Sequence, residues 1–247
     1  VNHIWMRHFG SPLVESVFDF GMRAPRPELA ELLDYLAAEL IESGWSMKHL
    51  HELIVTSKAW RRSSSNLGAD PGTMDRDPNN HFYWRMNPRR MESEVIRDSL
   101  ISLAGELDTT RGGPSIKPSQ NARRRSLYFL HSRDQKGPFL SRFDDPDILA
   151  CYRRGESIVP QQALALSNSA LSIRMSKRVF ALFHEETVDR RFAERVFHYL
   201  LCREPSTAEL DACADFLARV QRVASQTESR IRLVHALFNH NDFIYIR

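Results

Sequence analysis

Arginines and carboxylates at short spacings are the chemistry this sequence offers. In NPRRMESEVIRDSL, residues 87–100, Arg89 and Arg90 precede Glu94, Arg97 and Asp98. On a helix, Arg90–Glu94 and Glu94–Asp98 stand at i, i+4 and Glu94–Arg97 at i, i+3, so these groups meet on one face. Guanidinium forks hold carboxylate or sulfate through paired hydrogen bonds. The acids between them would orient such a ligand. The same groups would equally make a half-buried Arg–Glu–Arg network that ties a helix pair together.

A second set lies further along. FDDPD, residues 143–147, offers Asp144, Asp145 and Asp147. Facing carboxylates serve acid–base work or Ca²⁺, and Asp before Pro also serves turns. CYRRGESIVPQQALALSNSA, residues 151–170, places Arg153 and Arg154 ahead of Pro160, a residue suited to a first helical turn. Free N–H groups at a helix start attract anions. Asp144, Arg153, Arg154 and Gln161 therefore join Arg89, Arg90, Glu94, Arg97 and Asp98 as candidate ligand-binding residues. A nucleophilic Cys151 would need a positioned base, and none stands beside it in sequence. The stretch reads better as a loop that pins a helix.

Other motifs lack their partners. DFG at Asp19–Gly21 has no Gly-rich loop, strand lysine or H-R-D with it. His49 and His51, two apart on a helix, point in different directions, and HELIV lacks the second histidine of H-E-x-x-H. No metal site is expected. The three cysteines, Cys151, Cys202 and Cys213, form no C-x-x-C, and C-x-x-C-H is absent. That excludes a zinc ribbon and a c-type haem attachment within this sequence. A Cys202–Cys213 bridge stays open.

The elements that must position these groups are mostly helical. VNHIWMRHFG reads as the last turns of an amphipathic helix stopped by Gly10, which suggests a piece of a longer protein. Leu29, Leu32, Leu33, Leu36 and Leu40 form a helical stripe ending at Gly44, and Ser46 caps a helix to about residue 62. Residues 63–78 are a polar loop, and NNHFYWRM is a short helical piece. Met91, Val95, Ile96, Leu100, Leu103 and Leu107 mark another helix, and 108–122 another loop. RRSLYFLHS, residues 124–132, is the best strand. From Pro160 the pattern predicts helices over about 160–184, 187–202, 207–224 and 227–240, the third opened by a Ser206/Glu209 capping box. The expected fold is a mainly α, multi-helix globular domain with a small β element near residues 124–143. It is one domain over 1–247, with lobes 1–107 and 151–247 joined by 108–150.

Of 247 residues, 42% are hydrophobic, which is enough for a sizeable core. Positive charge is almost all arginine, 29 against five lysines, yet acids are interspersed and the net charge is only +3. A nucleic-acid interface would want a concentrated basic face, so no nucleic-acid partner is expected. No run of about 18 apolar residues would span a membrane.

Several collinear blocks together resemble one family. NHIWMRHFGSPLV with DFG and PELAELLDYLAAELIESGWSMKHLHELIVTSKAWRRSS is the first, and DPNNHFYWRMNPRRMESEVIRDSL the second. GGPS, RRSLYF, FDDPD, the SIVPQQALALSNS stretch and the terminal ALFNHNDFIYIR follow in order. The chain is similar to the DUF1553 family, the PSD1 domain of Planctomycetes and related bacteria. Where members often read FGRGLV, this chain has FGSPLV, and Pro12 alters that turn. The resemblance implies the C-terminal part of an exported multidomain protein. DUF1549 and cytochrome c domains would precede it, sometimes with a sugar-binding module. Any haem c would belong to that missing N-terminal region. The resemblance lends no catalytic residues.

The leading expectation is therefore a helical domain that binds a partner domain or a polar or anionic ligand such as polysaccharide. The alternatives are the catalytic part of a cytochrome-c-linked oxidoreductase and a structural scaffold for the DUF1549 region. The scaffold predicts a broad apolar patch near residues 1–20.

Overall fold

A computed structural model describes residues 1–19, 21–119, 121–132, Gly137, 139–143, Arg153 and 160–246. Mainly helical structure is found, with eleven α-helices and one small two-stranded antiparallel sheet among the described residues. The chain divides into two compact units, Val1–Arg89 and Arg90–Tyr245, with Ile246 counted in the first.

In the first unit, α1 (Asn2–Phe9) turns Trp5, Met6 and Phe9 inward, and Gly10 ends it in the left-handed conformation, φ 79°. Its N–H closes on the Met6 carbonyl, the cap expected of a C-terminal glycine. Asn2 then staples the following turn: its amide donates to the Val14 carbonyl, and its carbonyl accepts from the N–H groups of Leu13 and Val14. α2 (Ala30–Glu42) and α3 (Met47–Thr56) pack together, and α3 is N-capped by Ser46. The core gathers Trp5, Phe9, Leu36, Leu50, Ile54, Tyr83 and Met86. Within it Trp5 stacks on Phe9 at 4.0 Å and donates its indole N–H to the Tyr83 hydroxyl at 2.8 Å. The apolar residues of α1 are thus spent internally, and Phe18 is the exposed large hydrophobic among described residues 1–19.

The polar segment 63–78 contains a helix, α4 (Pro71–Arg76), where a loop was expected. Its reason is local. Asp70 accepts from the Thr73 N–H at 2.9 Å, and Pro71 fills the first turn. NNHFYWRM, expected as a helical piece, is instead a run of turns in which Asn80 and Tyr83 both take positive φ.

The second unit holds α5 (Ser93–Leu103), α6 (Pro160–Ser167), α7 (Ala170–Leu182), α8 (Asp189–Leu201), α9 (Thr207–Gln221), α10 (Gln226–Phe238) and α11 (Asn241–Ile244). The run expected over 160–184 is two helices. Ser169 interrupts it by taking an extended conformation and capping the Ser172 N–H. The Ser206/Glu209 capping box forms as read from the sequence. α10 packs against α7, α8 and α9, and α5 against α7. Ile96, Leu100, Met175, Phe192, Val196, Phe197, Val234 and Phe238 are among the side chains of one continuous core. Each buried side chain of this size contributes about 1.5–3 kcal/mol relative to exposure. Among the described residues no helix is long and apolar enough to cross a membrane.

The sheet pairs β1 (Arg89–Arg90) with β2 (Tyr245–Ile246). The segment expected as a strand, 124–132, carries two isolated bridges, Asp108 with Arg124 and Ile116 with Phe129, around a 3-10 turn at Ser126–Tyr128. The buried positions there are Ser126 and Phe129, three apart, which suits a turn and not a strand of period two.

Candidate functional site

The candidate residues on α5 separate into a buried floor and an open rim. Arg97 is only 2% exposed. Its guanidinium donates to Asp98, the Arg124 carbonyl and the Ser126 hydroxyl, each at 3.1 Å, and also to the Ala122 carbonyl. The Phe129 ring lies beneath it, 4.5 Å from centroid to guanidinium carbon. Burial pushes its pKa down, while Asp98 favours the charged form. Asp98 in turn accepts from the Ser126 N–H at 2.9 and 3.0 Å and from the Ser126 hydroxyl at 2.6 Å. Arg97 and Asp98 are thus spent on fixing 122–126 against α5. Of the two uses the sequence allowed, the network is the one they serve.

Above this floor lies a groove of about 570 Å³, formed by one face of α5 and the segment 125–131. Glu92 and Glu94 supply carboxylates, Ser99 and Ser102 hydroxyls, and Arg125 and His131 the basic side, while Asp98 lines the groove from the floor with its oxygens turned to Ser126 and Arg97. Val95 and Leu127 line it as well and are 43% and 58% exposed, so apolar surface is presented beside the polar groups. Glu94 accepts from the Ser93 hydroxyl at 3.0 Å. Such a groove can hydrogen-bond a ligand with several hydroxyls while covering its apolar face.

The remaining candidates lie elsewhere. Arg90 belongs to β1 and not to α5, so helical i, i+4 spacing to Glu94 does not apply to it. It donates to the Gln162 side-chain amide oxygen and lies 5.7 Å from the Phe143 ring centroid. Gln161 is on α6, but its neighbour Gln162, 4% exposed, is the amide that receives an arginine. Arg89, in the first unit, donates to the Arg7 carbonyl. Arg153 is exposed. Asp144, Arg154 and Cys151 lie outside the described residues.

Sequence reasoning missed Glu92, Arg125 and His131, the groove's other charged groups. All three lie inside stretches quoted above, Glu92 in 87–100 and Arg125 and His131 in 124–132, but a strand reading of 124–132 does not bring that segment over α5. Cys202 and Cys213 are free thiols, one exposed at the end of α8 and one buried in α9, so the bridge between them is absent. Among the described residues no group of three or more His, Cys, Asp or Glu side chains would hold a metal ion.

Comparison with curated proteins and with solved structures returned no match in either case. A family model does match, over residues 1–217, which span α1 through Leu217 of α9 and include the groove. The chain belongs to that family, PSD1, described as a protein of unknown function (DUF1553).

Proposed function

We propose that this domain binds a polysaccharide through the groove on α5. The observation that carries the reading is the groove's composition: carboxylates, two serine hydroxyls, Arg125 and His131 beside exposed Val95 and Leu127, over an internally satisfied Arg97–Asp98 floor. Sugars present hydroxyls on their edges and C–H surface on their faces, and this lining answers both. Glu92 and Glu94 outweigh Arg125 in formal charge, and Arg97 is engaged below. The balance favours neutral sugars over sulfated ones. We place the domain in an exported protein beside DUF1549 and cytochrome c domains of the same chain, a setting that would bring it to such polymers.

Titration of the whole chain with neutral and sulfated oligosaccharides tests this. Neutral oligosaccharide is expected to bind, and Arg125→Ala with Glu94→Gln to weaken it by about tenfold or more. Equal binding by the wild-type and the double variant would remove the groove as the site.

A further inference from the structure

The acids that punctuate this chain leave two gaps. Residues 109–133 hold six arginines and lysines and no acid, and residues 157–184 hold three and no acid. The fold brings parts of both together. Glu106, just past α5, pairs with Arg178 of α7 at 2.6 Å and with Arg123 at 3.7 Å. Arg174 of α7 donates to the Asn121 side chain at 2.9 Å. Arg123 and Arg178 are 64% and 60% exposed, whereas Glu106 is 15% exposed. Lys177 is exposed and makes no ion pair among the described residues. The other acid nearby, Asp108, turns its carboxylate to the Thr110 N–H at 2.9 Å. One largely buried carboxylate therefore stands among three exposed cations.

Folding does not account for this grouping. Arg97 is enclosed by its acceptors, but Arg123, Lys177 and Arg178 stay in solvent. Arg174 and Arg178, four apart on one helix, repel each other. An anionic partner would reverse that repulsion.

The patch adjoins the α5 groove. Leu107 lines the groove beyond Ser102, and Glu106 precedes it in sequence. The Asp108 N–H donates to the Arg123 carbonyl at 2.9 Å, which sets Arg123 beside that end, two residues before Arg125 of the groove wall. Glu92 and Glu94 lie at the other end, where α5 starts. The surface thus turns from acidic to basic along the length of α5.

We propose that the polysaccharide of the α5 groove carries an anionic substituent, carboxylate or sulfate, on a ring that leaves the groove past Leu107 and docks on Arg123, Lys177 and Arg178. This rests on the groove reading: neutral rings lie along α5, and the charged ring lies beyond it. Guanidinium forks match either anion. The patch residues include no aromatic ring, so it lacks the stacking surface that a nucleic-acid strand uses.

The test titrates the whole chain with three probes: a β-linked glucose hexasaccharide, and the same hexasaccharide with one end ring bearing a carboxylate or a sulfate, placed at either end in turn. Exposed ion pairs are individually weak, so one charged form is expected to bind about three- to tenfold tighter than the neutral one at low salt. The gain should vanish at about 0.5 M NaCl. It should also vanish in the combined variant Arg123→Gln, Lys177→Gln, Arg178→Gln, with the neutral affinity and the dichroism midpoint in urea left in place, since all three side chains are exposed. Equal affinity for neutral and charged probes, or a gain that survives the variant, would overturn the extension and leave the groove standing. Polyglutamate or single-stranded DNA of equal charge binding as tightly as the charged saccharide would overturn the saccharide as occupant of the patch. No binding of the neutral probe would overturn the groove and the extension together.

Discussion

Replacing Asp98 with alanine should destabilise the second unit far more than a groove-rim carboxylate would. The change removes the acceptor of the Ser126 N–H, at 2.9 and 3.0 Å, and of its hydroxyl, at 2.6 Å. It also strips the counter-charge from Arg97, which is 2% exposed and 3.1 Å away. A buried donor left unmatched costs about 1–3 kcal/mol, and a buried charge left unpaired about 3–5 kcal/mol. The two overlap, because Arg97 and Ser126 share a bond, so the expected total is about 3–5 kcal/mol. Whole domains have only about 5–15 kcal/mol to lose.

Urea unfolding gives the readout. The four tryptophans, 5, 45, 60 and 84, all lie within residues 1–89, so indole fluorescence follows the first unit. Far-UV circular dichroism is dominated by the seven helices α5–α11 of the second unit. With m near 1–3 kcal/mol/M, the dichroism midpoint should fall by about 1 M or more. Adding Arg97→Met removes the stranded charge, and the pair should couple by about 0.5–3 kcal/mol in a double-mutant cycle. A midpoint shift below about 0.3 M with no coupling would refute the reasoning, and Asp98 would return to the ligand groups.

Two further predictions concern the first unit. Trp45 has φ 65° and is 71% exposed at the turn between α2 and α3, so Trp45→Gly should be more stable than Trp45→Ala by about 1 kcal/mol. Thermal midpoints should differ by about 4–8 °C, and an alanine variant at or above the glycine variant would contradict the strain. His8 bonds His51 at 2.7 Å, and burial first, then His51 and Arg89, hold its pKa below the usual 6.5. The unfolded chain therefore binds more protons between the two values, so the stability contribution is whole above 6.5 and is lost as pH falls through the folded pKa. Urea midpoints by Trp fluorescence should drop between pH 7.5 and 5, and His8→Phe should flatten that slope; an equal slope in both proteins would reject it.

Helix starts and stops were the most legible feature, because their signals are local. Gly10, Ser46 and the Ser206/Glu209 box each act within one turn, and each does what its neighbours in sequence imply. Ser169 was legible too, as a serine ahead of an apolar run, but the apolar pattern continued across it and masked the break. Segment 124–132 failed for a different reason. Its conformation is set by Asp98, 28 residues away, pulling the Ser126 N–H onto α5. No window of local periodicity contains that bond. The same holds for 79–83, where Asp77, Arg62 and Trp5 impose positive φ on residues whose types suggested a helical turn.

The candidate site divides along the same line. Spacing identified Glu94, Arg97 and Asp98 as one constellation, and all three lie on α5. Spacing does not state which of them face a partner segment and which face water. That depends on where 122–131 runs, and it runs so that Arg97 is enclosed and Glu94 is left on the groove wall. A guanidinium with four internal acceptors and an aromatic ring beneath it has no fork to give a ligand. The abundance of arginine in this chain is therefore weak support for anion binding. Arg97, Arg203 and Arg230 each serve as internal ties, to Asp98, to Glu209 with Asp242, and to Asp189. Arginine suits that work because its planar donors satisfy several acceptors at once. The proposed recognition therefore rests on the α5 groove, where exposed Val95 and Leu127 stand beside hydroxyl and carboxylate groups, and not on the number of arginines.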